Sequence, residues 1–209
     1  MKIALIGTGR MGKALLKAFH QVHPDQILFA GRSAEQAQLI ATELSPELQV
    51  VSVQEALQAD VILPALWFRD LQPWVEEHRE QLRGKILIDI TNPFNDTFDD
   101  LTTAFDTSAS EELQRLIPET KVVGAFKNTF WVVFDQPEHQ GILSDVYLTS
   151  DFPEAAEQVR QVLEPLPFRV FDAGGLKNNR TIERMTLLSR ELALKVGTYP
   201  RVSFHLWGV

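Results

Sequence analysis

The sequence predicts an α/β fold: a doubly wound, mostly parallel sheet followed by a short C-terminal helical part. Three observations carry this prediction. An apolar run turns through glycines into a helix within residues 2–22, continuous apolar runs then alternate with helical periodicity, and one long apolar helix lies near the C-terminus. Strands that are apolar throughout, separated by helices, mark a parallel sheet covered on both faces.

Residues 2–6 form the first strand, and Met11, Ala14, Leu15, Ala18, Phe19 and Val22 then recur at the spacing of one helix face. Ile27 to Ala30 stops at Gly31, and Ala34, Ala37, Ile40, Ala41 and Leu44 mark a second helix. Val50 to Val53, a short helix near Glu55 to Gln58, Val61 to Leu63, a helix from Arg69 to Leu82 and Ile86 to Ile88 continue the alternation. Later strands are expected at Lys121 to Phe126, Val146 to Leu148 and Phe168 to Phe171. The polar stretch from Asn95 to Ser110, with Asp96, Asp99, Asp100 and Asp106, has the length of a functional lid and equally that of a solvated excursion. Ser110 reads as the N-cap of a helix whose first turn carries Glu111 and Glu112.

The last helix, from Thr181 to Gly197, places Ile182, Met185, Leu192 and Val196 on one stripe, with Leu187, Leu188 and Leu194 outside it. A helix apolar over most of its circumference is buried on several sides, so it is expected to pack on the domain and on a second subunit, giving a homodimer. The rival reading covers it with the aromatic tail of Tyr199, Phe204 and Trp207.

The chain has 209 residues, 20 Lys and Arg against 28 Asp and Glu, a formal charge of −8 and 44% hydrophobic residues. An acidic chain lacks the clustered cations that nucleic acid or an anionic membrane surface demands, so neither is an expected partner. There is no cysteine, which excludes disulfides, thiolate metal sites and Cys nucleophiles. The apolar start is too short for a signal peptide, and no later stretch approaches the ~20 apolar residues of a membrane helix. A cytoplasmic protein is the expectation.

Gly7-Thr8-Gly9-Arg10-Met11-Gly12 matches GxGxxG between a strand and a helix, the setting in which that pattern binds a dinucleotide. The first glycine permits the turn, the second lets backbone approach a pyrophosphate, and the third lets helix pack on strand. The N–H groups of Arg10, Met11 and Gly12 then face the phosphates at the positive helix end. Residues 1–175 are therefore expected to form a Rossmann-type dinucleotide-binding domain, with 176–209 as the dimerisation element. Where an NAD-selective fold ends its second strand in Asp or Glu, this chain has Ala30-Gly31-Arg32-Ser33. No carboxylate repels a 2′-phosphate there, Arg32 can pair with one, and Ser33 can add a hydrogen bond, so NADP(H) is the expected cofactor. Arg10 stands across the same pocket mouth and could close over the adenine.

Three further blocks carry a resemblance: Gly84 to Pro93 (GKILIDITNP), Val122 to Thr129 (VVGAFKNT) and Asp172 to Arg180 (DAGGLKNNR). With the glycine loop and Gly31-Arg32 they resemble the NADPH-dependent coenzyme F420 reductase family over residues 1–197. The resemblance implies a single Rossmann domain, commonly dimeric, that passes hydride between NADP(H) and a flavin or deazaflavin acceptor. It implies that Thr8 to Met11 and Gly31-Arg32 hold the adenosine phosphates, that Ala65-Leu66-Trp67 flank the nicotinamide, and that Asn128 lies near the carboxamide or the acceptor ring. Two departures are visible: Pro64 precedes a bulky exit at Trp67-Phe68, and Phe130-Trp131-Val132-Val133-Phe134 follow Thr129 where smaller residues are expected.

Hydride transfer between flat rings needs stacking and exclusion of water but no obligatory protein acid or base, and no catalytic residue is assigned. Lys127, at the crevice side after its strand, is the one acid candidate, with a lowered pKa if partly desolvated. A solvated or phosphate-bound Lys127 is the rival reading. Lys127, Asn128 and Thr129 are the candidate substrate residues. His20, His23 and His78 read as surface residues, Tyr147 as structural, and no cluster has metal-ligand spacing. The alternatives kept open are a reductase of an imine or small carbonyl, related to pyrroline-carboxylate reductases or hydroxyacid dehydrogenases, and a non-catalytic NADPH-binding module.

Overall fold

The computed structural model describes residues 1–209. Six strands form the central sheet: β1 (Ile3–Ile6), β2 (Ile27–Ala30), β3 (Gln49–Val50), β4 (Val61–Pro64), β5 (Ile86–Asp89) and β6 (Lys121–Gly124). Their order is β3-β2-β1-β4-β5-β6, and every neighbouring pair is parallel. Ile3 stands opposite Ile27 on one side and Val61 on the other. Strand order therefore reverses between β1 and β4, and a crevice outside the strand C-termini at such a reversal is where ligands bind in this architecture.

The pleat sends alternate residues of each strand to opposite faces, which builds two cores. Ile3, Leu5, Phe29 and Val123 pack with Leu15, Phe19 and Val159 from α1 (Arg10–Val22) and α7 (Pro153–Leu163). Ala4, Ile6, Ile62 and Leu87 pack with Leu71, Val75 and Leu113 from α4 (Phe68–Glu77) and α6 (Ala109–Leu116). Between them in sequence lie α2 (Ala34–Leu44), α3 (Val53–Ala56) and α5 (Arg79–Leu82).

A hairpin, β7 (Glu138–His139) with β8 (Ile142–Leu143), precedes a parallel pair, β9 (Asp145–Leu148) with β10 (Arg169–Asp172). Gly124 bridges Thr149, which joins this pair to β6. Buried Asp145 anchors the C-terminal tail: its N–H donates to the carbonyl of Phe204, and its carboxylate accepts from the N–H of Leu206 at 2.6 Å and from Arg169 at 2.8 Å. No helix is long and apolar enough to cross a membrane.

Several boundaries differ from the sequence expectation, each for a local reason. The expected strand at Val50 to Val53 ends at Val50, because Ser52 and Glu55 form a reciprocal capping box that starts α3 at Val53. The expected helix from Arg69 to Leu82 breaks at His78, which leaves helical geometry, and His78 is buried edge-on against Trp74 rather than on the surface. The N-cap of α6 is Ser108, whose Oγ accepts from the N–H of Glu111; Ser110 is instead buried and donates to Asp89 at 2.6 Å. The strand expected to reach Phe126 stops at Gly124.

The last helix, α8 (Asn179–Val196), ends on Gly197 in the left-handed conformation. Its buried residues are Asn179, Ile182, Glu183, Thr186, Ser189 and Ala193. Of the expected stripe only Ile182 is buried and Met185 is half-buried; Leu192 and Val196 are 52% and 71% exposed, beside exposed Leu188 and Leu194. The more polar side of α8 docks because it carries partners for charged groups beneath it.

Candidate functional site

The glycine loop joins β1 to α1. Gly7 has φ +133, and a Cβ there would lie 2.6 Å from the carbonyl oxygen of Ala65. A Cβ on Gly12 would lie 2.1 Å from the carbonyl oxygen of Gly7. These two glycines serve the packing of loop, helix and β4. Gly9 differs: nothing stands within 4 Å of a Cβ built there. Gly9 caps α1 without a side-chain hydrogen bond, and no acidic residue occupies the first turn. The first intrahelical bond runs from the N–H of Lys13 to the carbonyl of Gly9, so the N–H groups of Arg10, Met11 and Gly12 have no partner inside the helix. Unpaired donors at a positive helix end beside open space are what an anionic pyrophosphate requires, and the loop fits one.

At the end of β2, a Cβ on Gly31 would meet the methyl of Thr8 at 2.6 Å, so loop and strand end touch. Thr8 Oγ1 donates to Gln36 at 3.1 Å. Arg32 is exposed and belongs to none of the ion pairs that hold Arg69, Arg169, Arg180 and Arg184. Ser33 Oγ accepts from the N–H of Gln36 at 3.2 Å and so caps α2; its hydroxyl hydrogen remains free for an anion. Arg10 lies over Trp131, 4.1 Å from the ring centroid.

At the exit of β4, the N–H of Ala65 donates to the carbonyl of Ile6 at 2.7 Å. Ala65 and Leu66 are half-buried, and Trp67, half exposed, caps α4 with its backbone. The Trp67 ring meets Phe98 edge-on at 5.7 Å.

The exits of β5 and β6 differ from the expectation. Lys127, Asn128 and Thr129 are 1%, 1% and 5% exposed, beneath α8, and their side chains do not line an open cleft. Lys127 Nζ lies 2.7 Å from Asp89 and 3.0 Å from Glu183, and donates to the carbonyl of Thr91. Asn128 Nδ2 donates to the carbonyl of Asp145 at 2.7 Å. The Lys127 carbonyl accepts from Asn92 and Thr186, each at 2.8 Å. The expectation of a Lys127 lowered by desolvation is reversed: burial alone pulls it down, but Asp89 and Glu183 together raise the ammonium above its ordinary value. A lysine so enclosed is not a solvated residue.

The two carboxylates were not singled out from sequence. Asp89 accepts from the N–H and hydroxyl of Thr91, at 2.8 and 2.6 Å, and from Ser110. Glu183 accepts from the N–H of Ala109 at 3.1 Å. Burial pushes Glu183 up to about 7 even though Lys127 pulls the other way. The available signal was a carboxylate closing the apolar run Ile86-Leu87-Ile88, with a lysine closing the next strand. The arrangement locks the β5 and β6 exits to α6 and α8, making a rigid wall for the crevice.

A family model described as NADP oxidoreductase coenzyme F420-dependent matches residues 2–93. An F420-dependent NADP reductase of Methanocaldococcus jannaschii is 26% identical over 211 residues, 93% of this chain and 93% of that protein. One of Methanothermobacter thermautotrophicus is 28% identical over 214 residues, 93% of this chain and 90% of its own length. A solved structure from Arthrobacter sp. FB24, assigned provisionally as an F420-dependent NADP-reductase, superposes with a TM-score of 0.84 at 23% identity. That match covers 95% of this chain and 96% of the other, and it shows the shared fold.

Proposed function

We propose that the chain is an NADP oxidoreductase of the coenzyme F420-dependent kind, which its match over residues 2–93 and its full-length likeness to two F420-dependent NADP reductases support, and that it passes hydride between NADP(H) and a deazaflavin of the F420 type. The observation that carries the cofactor half is the uncapped start of α1 at Gly9, with unpaired Arg32 beyond it at the end of β2. Bound NADPH supplies a hydride, and the deazaflavin ring supplies its acceptor.

The residues of the chain have these proposed roles. The N–H groups of Arg10, Met11 and Gly12 hold the pyrophosphate, with Gly7, Thr8, Gly9 and Gly31 shaping the approach. Arg32 pairs with the 2′-phosphate and Ser33 donates to it. Ala65, Leu66 and Trp67 flank the nicotinamide and shed water from it. Lys127, Asn128 and Thr129 act from beneath, holding the wall at Thr91 and Asn92 in place rather than touching substrate. No side-chain acid is required, since hydride moves between two carbon centres.

The test is oxidation of NADPH followed with a deazaflavin, a flavin, an imine and a ketone as separate acceptors. Turnover with the deazaflavin, and far less with imine or ketone, is expected. Turnover with imine or ketone alone, or NADPH binding with no acceptor reduced, contradicts the proposal. We further propose a cytoplasmic homodimer in which residues 176–209 form the dimerisation element beside a Rossmann domain of residues 1–175. The exposed apolar side of α8, at Leu188, Leu192, Leu194 and Val196, supports this.

A further inference from the structure

Six side chains from six separate segments form one string of contacts. Trp67 meets Phe98 at 5.7 Å. The Arg190 guanidinium carbon lies 5.5 Å from the Phe98 ring and 5.5 Å from the Tyr199 ring. Tyr199 meets Trp131 edge-on at 6.2 Å, and Trp131 carries Arg10 at 4.1 Å. Trp67 precedes α4 after β4, and Arg10 opens α1 after β1, on neighbouring strands. Both ends of the string therefore follow strand C-termini at the switch point.

Arg190 is the charged residue that lies between two rings of this string. Its Nη1 donates to the carbonyl of Phe98 at 2.8 Å, holding a non-glycine residue at φ +58. Its Nε is buried and has no hydrogen-bond partner. No carboxylate stands within ion-pair distance of it, whereas Arg180 and Arg184 on the same helix are each paired. The Asp99 carboxyl is lowered chiefly by hydrogen bonds from Thr97 and Asn95, and only slightly by Arg190. A guanidinium between two aromatic rings, with no carboxylate paired to its charge, suits an anion carried on a flat ring system.

We propose that Arg190 determines acceptor specificity, selecting a planar heteroaromatic acceptor with an anionic tail over its uncharged parent ring, while Tyr199 and Phe98 supply the aromatic border. This rests on the hydride-transfer reading above and deepens it by naming the chemistry of the second substrate. Arg190 is distant in sequence from every dinucleotide motif, and no spacing rule points to it.

The test first titrates the protein calorimetrically with NADP⁺, which examines the cofactor reading alone. With NADP⁺ saturating, quenching of deazaflavin fluorescence then gives Kd for coenzyme F420, which bears phosphate and glutamate charges, and for its uncharged deazariboflavin core. Wild type is expected to bind the charged form about tenfold more tightly. Arg190→Gln, which removes the charge, brings the two Kd values together and leaves NADP⁺ affinity unchanged. Arg190→Lys keeps part of the difference, and Tyr199→Leu weakens both probes equally. Equal Kd values in wild type, an undiminished ratio in Arg190→Gln, or no saturable binding of either probe beside normal NADP⁺ binding overturns the proposal. Absent NADP⁺ binding defeats the underlying reading instead.

Discussion

Lys127 Nζ lies 3.0 Å from the carboxylate of Glu183, and both side chains are only 1% exposed. With Asp89 at 2.7 Å on the same ammonium, two acidic groups share one cation away from water. A second buried carboxylate costs free energy when charged, and Glu183 accordingly titrates at about 7. Because its folded value lies above the ordinary 4.5, the folded chain keeps a proton that the unfolded chain releases between about 4.5 and 7. The stability contributed by Glu183 is thus full below pH 4.5 and is lost as pH rises to about 7. Glu183→Gln should remove that slope: denaturant midpoints of wild type minus variant should decline across this window and level above it. A difference independent of pH contradicts the assignment.

Removing the cation tests the same cluster from the other side. Lys127→Met leaves two buried carboxylates facing each other and should cost ~3–5 kcal/mol at pH 8. The loss should shrink at pH 5.5, where Glu183 is neutral. Equal losses at the two pH values, measured by urea unfolding, would place the stabilisation elsewhere.

Gly9 and Gly12 should separate binding from folding. Gly9→Val meets open space and an ordinary backbone angle, so stability should change by ~1 kcal/mol or less, through a poorer helix cap. NADP⁺ affinity should fall below detection, because the side chain fills the approach of the pyrophosphate. Gly12→Ala drives a methyl into the backbone of Gly7 and should cost about 3 kcal/mol or more in stability. Normal NADP⁺ affinity in Gly9→Val would move the phosphate site away from this loop.

The parts of the molecule governed by neighbours in sequence were legible. Strand β1, the glycine loop and α1 follow from an apolar run, three glycines and one helical period, and the structure returns all three. Long-range partners were not legible. Lys127 was read as a crevice residue because its strand ends there, but Glu183, 56 residues away, determines its surroundings. The choice between Ser108 and Ser110 as helix cap was likewise made by Asp89 on another strand. For α8 the hydrophobic period misled, since Thr186 and Ser189 dock on the domain while Leu192 and Val196 face outward. Arg190, Phe98 and Tyr199 meet only after α8 and the tail have packed.

The outward face of α8 gives a direct prediction for assembly. Leu192→Glu puts a charge on a position already 52% exposed in the single chain, so monomer stability should change by ~0.5 kcal/mol or less. Sedimentation equilibrium should show a dimer for wild type and a monomer for the variant. A wild-type monomer at all concentrations contradicts the dimer.

The most direct test of the cofactor assignment is calorimetric titration of wild type and Arg32→Ala with NADP⁺ and NAD⁺. Wild type should bind NADP⁺ more tightly than NAD⁺. Arg32→Ala should weaken NADP⁺ by about tenfold or more while leaving NAD⁺ nearly unchanged, as the loss of a charge-assisted phosphate contact requires. Equal weakening of both nucleotides, or no heat with either in wild type, contradicts the account.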